Sequence, residues 1–430
     1  MEELLFVVAV AAILVCLAAL AYFVALQMRY PEPTHAHEVH IVAAADGWQL
    51  RLHRRRPAGG GGEPVFFMHS LASNHLNFEV PYGYALVDYL VAAGYDCWTF
   101  DSRACRDAVP PKRAMRFKST VDDLLVQDVP AALQRIREVT GRARVHWIGH
   151  SMGGMVLYAY DLKFGGEGLA SAVTLGSPPG FKGYHHVPHD TLVLLNHVAH
   201  TLLSCAFRGL APYFDFQRPV SRLVPINWDN VHPKLRAPEL FHAAEMPTPG
   251  IGDQMNGWAS GKPWTMCGGT LEVDASLHKI KTPLLAVFGG LDPFISQSRA
   301  REFFGAIENR DKKMVYLSRA TGASANYNHI DLAFAREGER EVFQPILEWL
   351  QAHPVEGPAR RARPVAKRGA RTKVAEVDLP EAAAPAADNV HLSAAGAGRA
   401  LRRPAPKKTA SKSRPRTARA AAKKRPRKRT

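Results

Sequence analysis

Gly149-His150-Ser151-Met152-Gly153 is the stretch of this chain best suited to covalent chemistry. It matches the pattern Gly-x-Ser-x-Gly. Val145–Ile148 before it reads as a buried strand, and Gly154–Tyr160 after it reads as a helix. A serine on a tight strand-to-helix turn has its hydroxyl lifted clear of the backbone, and small residues such as Gly149 and Gly153 are what such a turn tolerates. A serine hydroxyl is a weak nucleophile at neutral pH. It needs a base to take its proton, and the base needs an acid to orient it.

In strand–turn–helix hydrolases the acid and then the base follow the serine along the chain. Leu284–Phe288 reads as a strand, and Gly289-Gly290-Leu291-Asp292-Pro293 leaves its C-terminal end. Asp292 is the expected acid. Asp274 and Asp311 are alternatives that follow no strong strand. Met314–Leu317 reads as the last strand. Beyond it the folded part holds His329, in Tyr327-Asn328-His329-Ile330-Asp331, and His353 at its very end. His329 is the expected base. Backbone N–H groups must meet the oxyanion. Met152, directly after the nucleophile, is one expected donor. Leu71, in the loop His69-Ser70-Leu71-Ala72-Ser73-Asn74 after the strand Val65–Met68, is the other.

The elements that must position these residues alternate. Cys97–Phe100 and Ala172–Leu175 also read as strands. Ala85–Ala93, Val121–Thr140, Met152–Phe164, Gln297–Ile307 and Gly338–Ala352 read as helices. Strands alternating with helices imply a mostly parallel sheet covered on both faces, an α/β class. His40–Ala43 and Trp48–His53, around Asp46-Gly47, read as an antiparallel hairpin ahead of it. The interval from about 178 to 280 breaks the rhythm. A structureless loop of that length does not suit a compact domain, so a mostly helical cap, inserted after the sixth strand, is expected there.

Three regions follow: an N-terminal segment over 1–29, a catalytic domain over 35–354 and a tail over 357–430. From Leu4 to Leu26 there is neither a charge nor a proline. As a helix that run is about 34 Å long, enough to cross a bilayer core. Glu2 and Glu3 stand where a signal peptide has basic residues, so an uncleaved single-pass anchor is expected. Arg29, Arg51, Arg54, Arg55 and Arg56 follow the span, which by the positive-inside rule keeps the catalytic domain cytoplasmic. The five cysteines are odd in number and contain no Cys-x-x-Cys. They form neither a disulfide framework nor a metal knuckle and fit a reducing compartment. The His185-His186 and His197/His200 groups lie in the proposed cap without a matching acid or cysteine pattern, so no metal site and no cofactor is expected.

The net charge is +16. The tail from Gly357 to Thr430 alone carries 22 Lys/Arg and 4 Asp/Glu. The rest of the chain holds the other 33 basic and 35 acidic residues and is close to neutral. The basic character belongs to a tail rich in Ala, Pro, Lys and Arg that cannot bury enough apolar surface to fold. Nucleic acid and anionic lipid are its expected partners. No aromatic residue lies beyond Trp349, which argues against base stacking.

These motifs together resemble the acid lipases, the gastric and lysosomal lipase branch of the α/β-hydrolase superfamily. Glu38–Pro57, with Ala45–Arg54 within it, resembles that family's opening hairpin. Ala93–Arg103 resembles its fourth-strand segment. Gly289–Asp292 and Tyr327–Asp331 resemble its acid and base loops. The resemblance runs from about Glu38 to Ala352. It implies a triad of Ser151, Asp292 and His329, an oxyanion hole from Leu71 and Met152, and a cap over an acyl pocket. His69-Ser70 stands where the family has His-Gly, and Ala104-Cys105 replaces a Gly-containing step. Some segments also resemble polyester synthases, which use Cys where this chain has Ser151. The expected function is hydrolysis of a carboxylic ester of an apolar or lipid acyl group. The alternatives are an acyltransferase on the same triad and a non-enzymatic membrane scaffold with a binding tail.

Overall fold

The computed structural model describes residues 2–30, 35–180, 200, 204–205, 208–209, 225–235 and 237–355. The chain lays down strands β1 (Glu38–Ala43), β2 (Gln49–Arg55), β3 (Pro64–Met68), β4 (Asp96–Asp101), β5 (Val145–His150), β6 (Leu169–Leu175), β7 (Thr265–Met266), β8 (Leu271–Glu272), β9 (Leu284–Gly289) and β10 (Lys312–Leu317). Eight of them form one sheet in the order β1-β2-β4-β3-β5-β6-β9-β10. β1 and β2 are antiparallel, as are β2 and β4. Every later pairing is parallel. β7 and β8 make a separate two-residue hairpin.

Successive side chains of a strand point to opposite faces, and the sheet uses both. Phe66, Met68, Trp98, Phe100, Trp147, Ala286 and Phe288 join one core, with the helices Val129–Thr140 and Met152–Phe164. Val65, Phe67, Ile148, Val173, Leu285 and Val287 join the other, with the helices Leu86–Ala92 and Gln344–Ala352. The central strands are apolar at consecutive positions because neither face meets water.

Two helices depart from the sequence reading. The helix expected over Val121–Thr140 widens into a π-turn at Leu124–Asp128, where Val129 N–H donates to the Leu124 carbonyl. Pro130 explains it. A proline in a regular helix lacks the N–H and its ring strikes the carbonyl four residues back; a wider turn relieves both. The same device recurs at Glu339–Phe343, just before Pro345.

In the 178–280 interval the described parts hold the short helices Trp228–Asn230, Ala237–Ala243 and Pro249–Ala259, the β7–β8 hairpin and the helical turns Val273–Lys279. From Pro249 onward this segment is part of the main core: Ile251, Trp258, Trp264, Met266 and Val273 pack in the same cluster as Trp147 and Tyr158. Most of the expected cap ahead of Pro225, with His185, His186 and His197, lies outside the described residues, as does the basic tail.

The N-terminal helix spans Glu2–Arg29. Eighteen consecutive residues within Leu5–Arg29 have a mean hydropathy of 2.9 and are unburied, which suits either a membrane anchor or a signal sequence. Among the described residues, its C-terminal turns meet the domain. Leu26 packs on Phe241, Tyr22 Oη donates to the Gly209 carbonyl at 2.6 Å, and His242 Nε2 donates to the Tyr30 carbonyl at 2.6 Å.

Arg103 clamps the first hairpin to the sheet. Its guanidinium gives Nε and Nη2 to Asp128 Oδ1 at 2.8 and 2.6 Å and Nη1 to Asp46 Oδ2 at 2.8 Å. It also lies over the Trp48 ring at 5.1 Å. Arg103 and Asp128 are both buried. Removing one member of such a pair strands a charge without water. Arg103→Ala is expected to cost about 3–5 kcal/mol, and Arg103→Lys to recover little because a point charge cannot fork to two carboxylates. Urea denaturation followed by circular dichroism checks both.

Candidate active site

β5 ends at His150 and the next helix starts at Met152, so Ser151 makes the whole turn. Its backbone sits at φ 52°, ψ −115°. This lies in the left-handed half of conformational space, which a non-glycine residue occupies only when its surroundings impose it. The surroundings are visible. Ser151 N–H donates to the Leu175 carbonyl at 2.8 Å. A Cβ on Gly149 would fall 2.5 Å from Gly153 C, and a Cβ on Gly153 would fall 2.1 Å from the Met68 carbonyl oxygen. The flanking glycines let the new helix pass directly against the end of β3.

The structure brings Ser151, Asp292 and His329 together. His329 Nε2 lies 2.8 Å from Ser151 Oγ, and His329 Nδ1 lies 2.8 Å from Asp292 Oδ2. A neutral imidazole carrying its proton on Nδ1 donates it to Asp292 and leaves Nε2 free to accept the serine proton. Asp292 and His329 are buried. Asp292 Oδ1 also accepts the Phe294 N–H at 2.9 Å. Phe294 sets its ring edge-on to His329 at 4.5 Å. Gly176 keeps space beside the pair: a Cβ there would lie 3.1 Å from His329 Nδ1. The alternative acids are engaged elsewhere. Asp274 accepts the Trp264 N–H at 3.0 Å, and Asp311 pairs with His353 at 3.0 Å.

The loop that carries His329 is fastened from inside. Asn328 Oδ1 accepts the His329 N–H at 2.8 Å. Asp331, wholly buried, accepts from Asn328 N at 3.0 Å, Asn227 N at 2.9 Å and Asn230 Nδ2 at 2.7 Å. Burial pushes the Asp331 carboxyl up from its ordinary range. Leu291 N–H reaches the Tyr327 carbonyl at 2.7 Å and ties the acid loop to the base loop.

Leu71 and Met152, the expected oxyanion donors, lie on the two sides of the Gly153–Met68 contact. Met152 is the first residue of its helix, where no N–H has an intrahelical partner. The Leu71 N–H is oriented by His69. His69 Nδ1 donates to the Ser70 carbonyl at 2.8 Å. That carbonyl and the Leu71 N–H belong to one trans peptide and point in opposite directions, so holding the first turns the second away from His69. Burial holds the His69 pKa down and keeps the ring neutral. Its Nε2 therefore accepts, with Ser102 Oγ at 3.0 Å and Cys105 Sγ at 3.3 Å. Cys105, the departure from the family pattern, stays a thiol because burial raises its pKa well above the ordinary value. Ser70, the other departure, turns its hydroxyl to the Leu71 carbonyl at 3.3 Å.

The same loop is gripped from its far side. Glu245 N–H donates to the Ala72 carbonyl at 2.9 Å. Ser73 Oγ donates to the Ala243 carbonyl at 3.1 Å, and Asn74 Nδ2 to the His242 carbonyl at 2.8 Å. Sequence reasoning missed His69, Asn74, Gly176, Phe294 and Asp331. Only Asp331 had a local signal, in the Asn-x-x-Asp spacing around His329.

His53, His75 and Asp101 offer three ligand atoms within 4.8 Å of one another. The imidazoles stack at 3.8 Å with their planes 10° apart. An imidazole binds a metal through a lone pair in its ring plane, and two stacked planes share no such point. The cluster is instead a hydrogen-bonded carboxylate. Burial opposes its ionisation, but the His75 charge and the hydrogen bonds from His53 and His75 hold Asp101 well below the usual range.

A profile for the alpha/beta hydrolase fold matches residues 63–322, which include Ser151 and Asp292 and stop just short of His329. With the sheet order and the strand–Ser151–helix turn, that match makes this chain a member of the α/β hydrolase fold family. Its sequence is similar to Lipase 1 of Drosophila melanogaster, 30% identical over 122 residues, 27% of each chain. It is also similar to human gastric triacylglycerol lipase, 29% identical over 132 residues, 28% of this chain and 33% of that one. Human lysosomal acid lipase/cholesteryl ester hydrolase is 26% identical over 128 residues, 27% of this chain and 32% of that one. The similar stretch spans about a third or less of the length of each of these relatives. Among solved structures, an esterase from Exiguobacterium antarcticum shares the fold, with a TM-score of 0.50, 14% identity, and coverage of 73% of this chain and all of that one.

Gly153→Ala is the test of the close approach. The added methyl would strike the Met68 and His69 carbonyls, both backbone, and the expected loss of stability is about 3 kcal/mol, read from the urea midpoint. A wild-type midpoint would show that β3 and the helix can separate.

Proposed function

We propose that this chain is a membrane-anchored serine hydrolase that cleaves carboxylic esters of apolar acyl groups. One observation carries the reading: the relay Ser151 Oγ, His329 Nε2, His329 Nδ1, Asp292 Oδ2, with both contacts at 2.8 Å. Ser151 attacks the ester carbonyl as His329 takes its proton. Asp292 keeps His329 in the required tautomer and stabilises the imidazolium. The N–H groups of Met152 and Leu71 receive the oxyanion. His329 then protonates the leaving alcohol, and water, deprotonated by the same imidazole, releases the acid from the acyl-enzyme.

Likeness to lipases supports an apolar acyl substrate. The long apolar helix Leu5–Arg29 supports an anchor that holds the enzyme where such esters gather. The arginines after that helix support a cytoplasmic catalytic domain. The tail adds electrostatic attraction to anionic surfaces, lipid headgroups or nucleic acid.

The test treats the full chain, in phospholipid nanodiscs, with a fluorescent fluorophosphonate, which reacts with an activated serine whatever its substrate. Wild type is expected to label and Ser151→Ala to stay dark. Absence of label on folded wild type would overturn the reading. With 4-nitrophenyl esters, longer acyl chains are expected to be hydrolysed faster than acetate. Asp292→Asn is expected to lower kcat by roughly 10⁴-fold, because an amide stabilises the wrong tautomer of His329.

A further inference from the structure

His150, the residue before the nucleophile, has no part in the proton relay, yet it sits against it. The ring is buried at the end of β5, 5.3 Å from the His329 ring. Its Nε2 lies 3.1 Å from the His329 backbone carbonyl, and its Nδ1 lies 3.1 Å from Asn77 Oδ1. The same Asn77 oxygen accepts the Ser70 N–H at 3.0 Å. Four groups thus form a line from the loop carrying Leu71 to the backbone of the base.

The line is one proton short. Burial, with the His329 charge added, brings the His150 pKa down to about 3, so the ring is neutral and owns one N–H. On Nε2, that proton serves the His329 carbonyl, which can only accept. Nδ1 is then a lone pair facing Asn77. In the orientation that serves Ser70, Asn77 Nδ2 is buried with no partner. Turned over, the amide would serve His150 and abandon Ser70. A buried polar group without a partner costs free energy, so an all-apolar contact here would be the simpler way to fill the space. What the polar residues add is direction: each end of the line fixes a peptide of the reaction site.

We infer that His150 is a positioning residue for the general base. As the neutral Nε2–H tautomer it donates to the His329 carbonyl and fixes the backbone that carries the base against the end of β5. The inference rests on the hydrolase reading above. Its effect falls on the chemical step, when His329 must meet Ser151 and the oxyanion must meet Leu71 together. Substrate binding does not depend on it.

Three substitutions separate the two ends of the ring. Glutamine places an N–H near the Nε2 position, asparagine places its amide near Nδ1, and leucine supplies neither. In the full chain in nanodiscs, with 4-nitrophenyl butyrate, His150→Leu is expected to lower kcat by roughly 10- to 100-fold, the range for a catalytic group displaced by about 1 Å, with KM within about twofold. His150→Gln is expected to recover most of kcat, and His150→Asn to behave like His150→Leu. Circular dichroism melting reports whether each variant is folded. Folded His150→Leu with wild-type kcat would overturn the inference, as would a folded His150→Gln no faster than His150→Leu. If His150→Leu does not fold, the comparison of Gln with Asn still decides it. Failure of the hydrolase reading looks different: wild type itself then neither labels with fluorophosphonate nor turns over the ester.

Discussion

The rest of the site depends on one close approach, that of the Gly153 backbone to the carbonyl at the end of β3. A methyl at Gly153 would sit 2.1 Å from the Met68 oxygen and 2.9 Å from the His69 oxygen. Because the gap holds no side chain, the helix that follows Ser151 begins against the strand that leads into His69-Ser70-Leu71. Two N–H groups far apart in sequence, those of Leu71 and Met152, are thereby brought to the same edge of the sheet. The same crowding holds Ser151 at positive φ, which lifts its hydroxyl toward His329. A backbone conformation costing on the order of 1–3 kcal/mol persists because Leu175, Gly153 and β3 leave it no alternative.

Around that contact the loops are located by buried hydrogen bonds. Each such bond adds on the order of 1 kcal/mol net, whereas a buried group left without a partner costs about 1–3 kcal/mol. The asymmetry makes these networks selective. His69 can satisfy the Ser70 carbonyl in only one rotation of that peptide. Asp331 can receive Asn227, Asn230 and Asn328 only if the base loop and the 225–230 segment keep their places. A misplaced loop would lose several partners at once.

The N-terminal helix enters the same network. His242 bonds the Tyr30 carbonyl with its ring and Asn74 with its own carbonyl. The end of the apolar helix and the loop expected to hold the oxyanion are therefore separated by one residue. Phe241, next to it, is buried against Leu26. The domain boundary suggested by composition at residue 29 is a boundary in hydropathy, while packing crosses it.

Much of this was legible in the sequence, and for physical reasons. Hydrophobic period and turn chemistry are local, so the strands, the first hairpin and the helix Met152–Phe164 follow from neighbouring residues. The elbow glycines, Asp292 after β9 and His329 after β10 were readable because a parallel sheet presents the C-terminal ends of its strands at one edge. The π-turns before Pro130 and Pro345 escaped, since a helix can meet a proline by ending, kinking or widening, and packing decides which. The roles of His69, His150 and Asn77 escaped as well. Their side chains act on carbonyls and amides contributed by distant strands, and no local pattern encodes such a partner. Sequence by itself determined which groups the proposed chemistry would use and at which sheet edge they emerge. Tertiary structure alone decided how those groups are aimed, because aim depends on contacts between segments that only folding brings together.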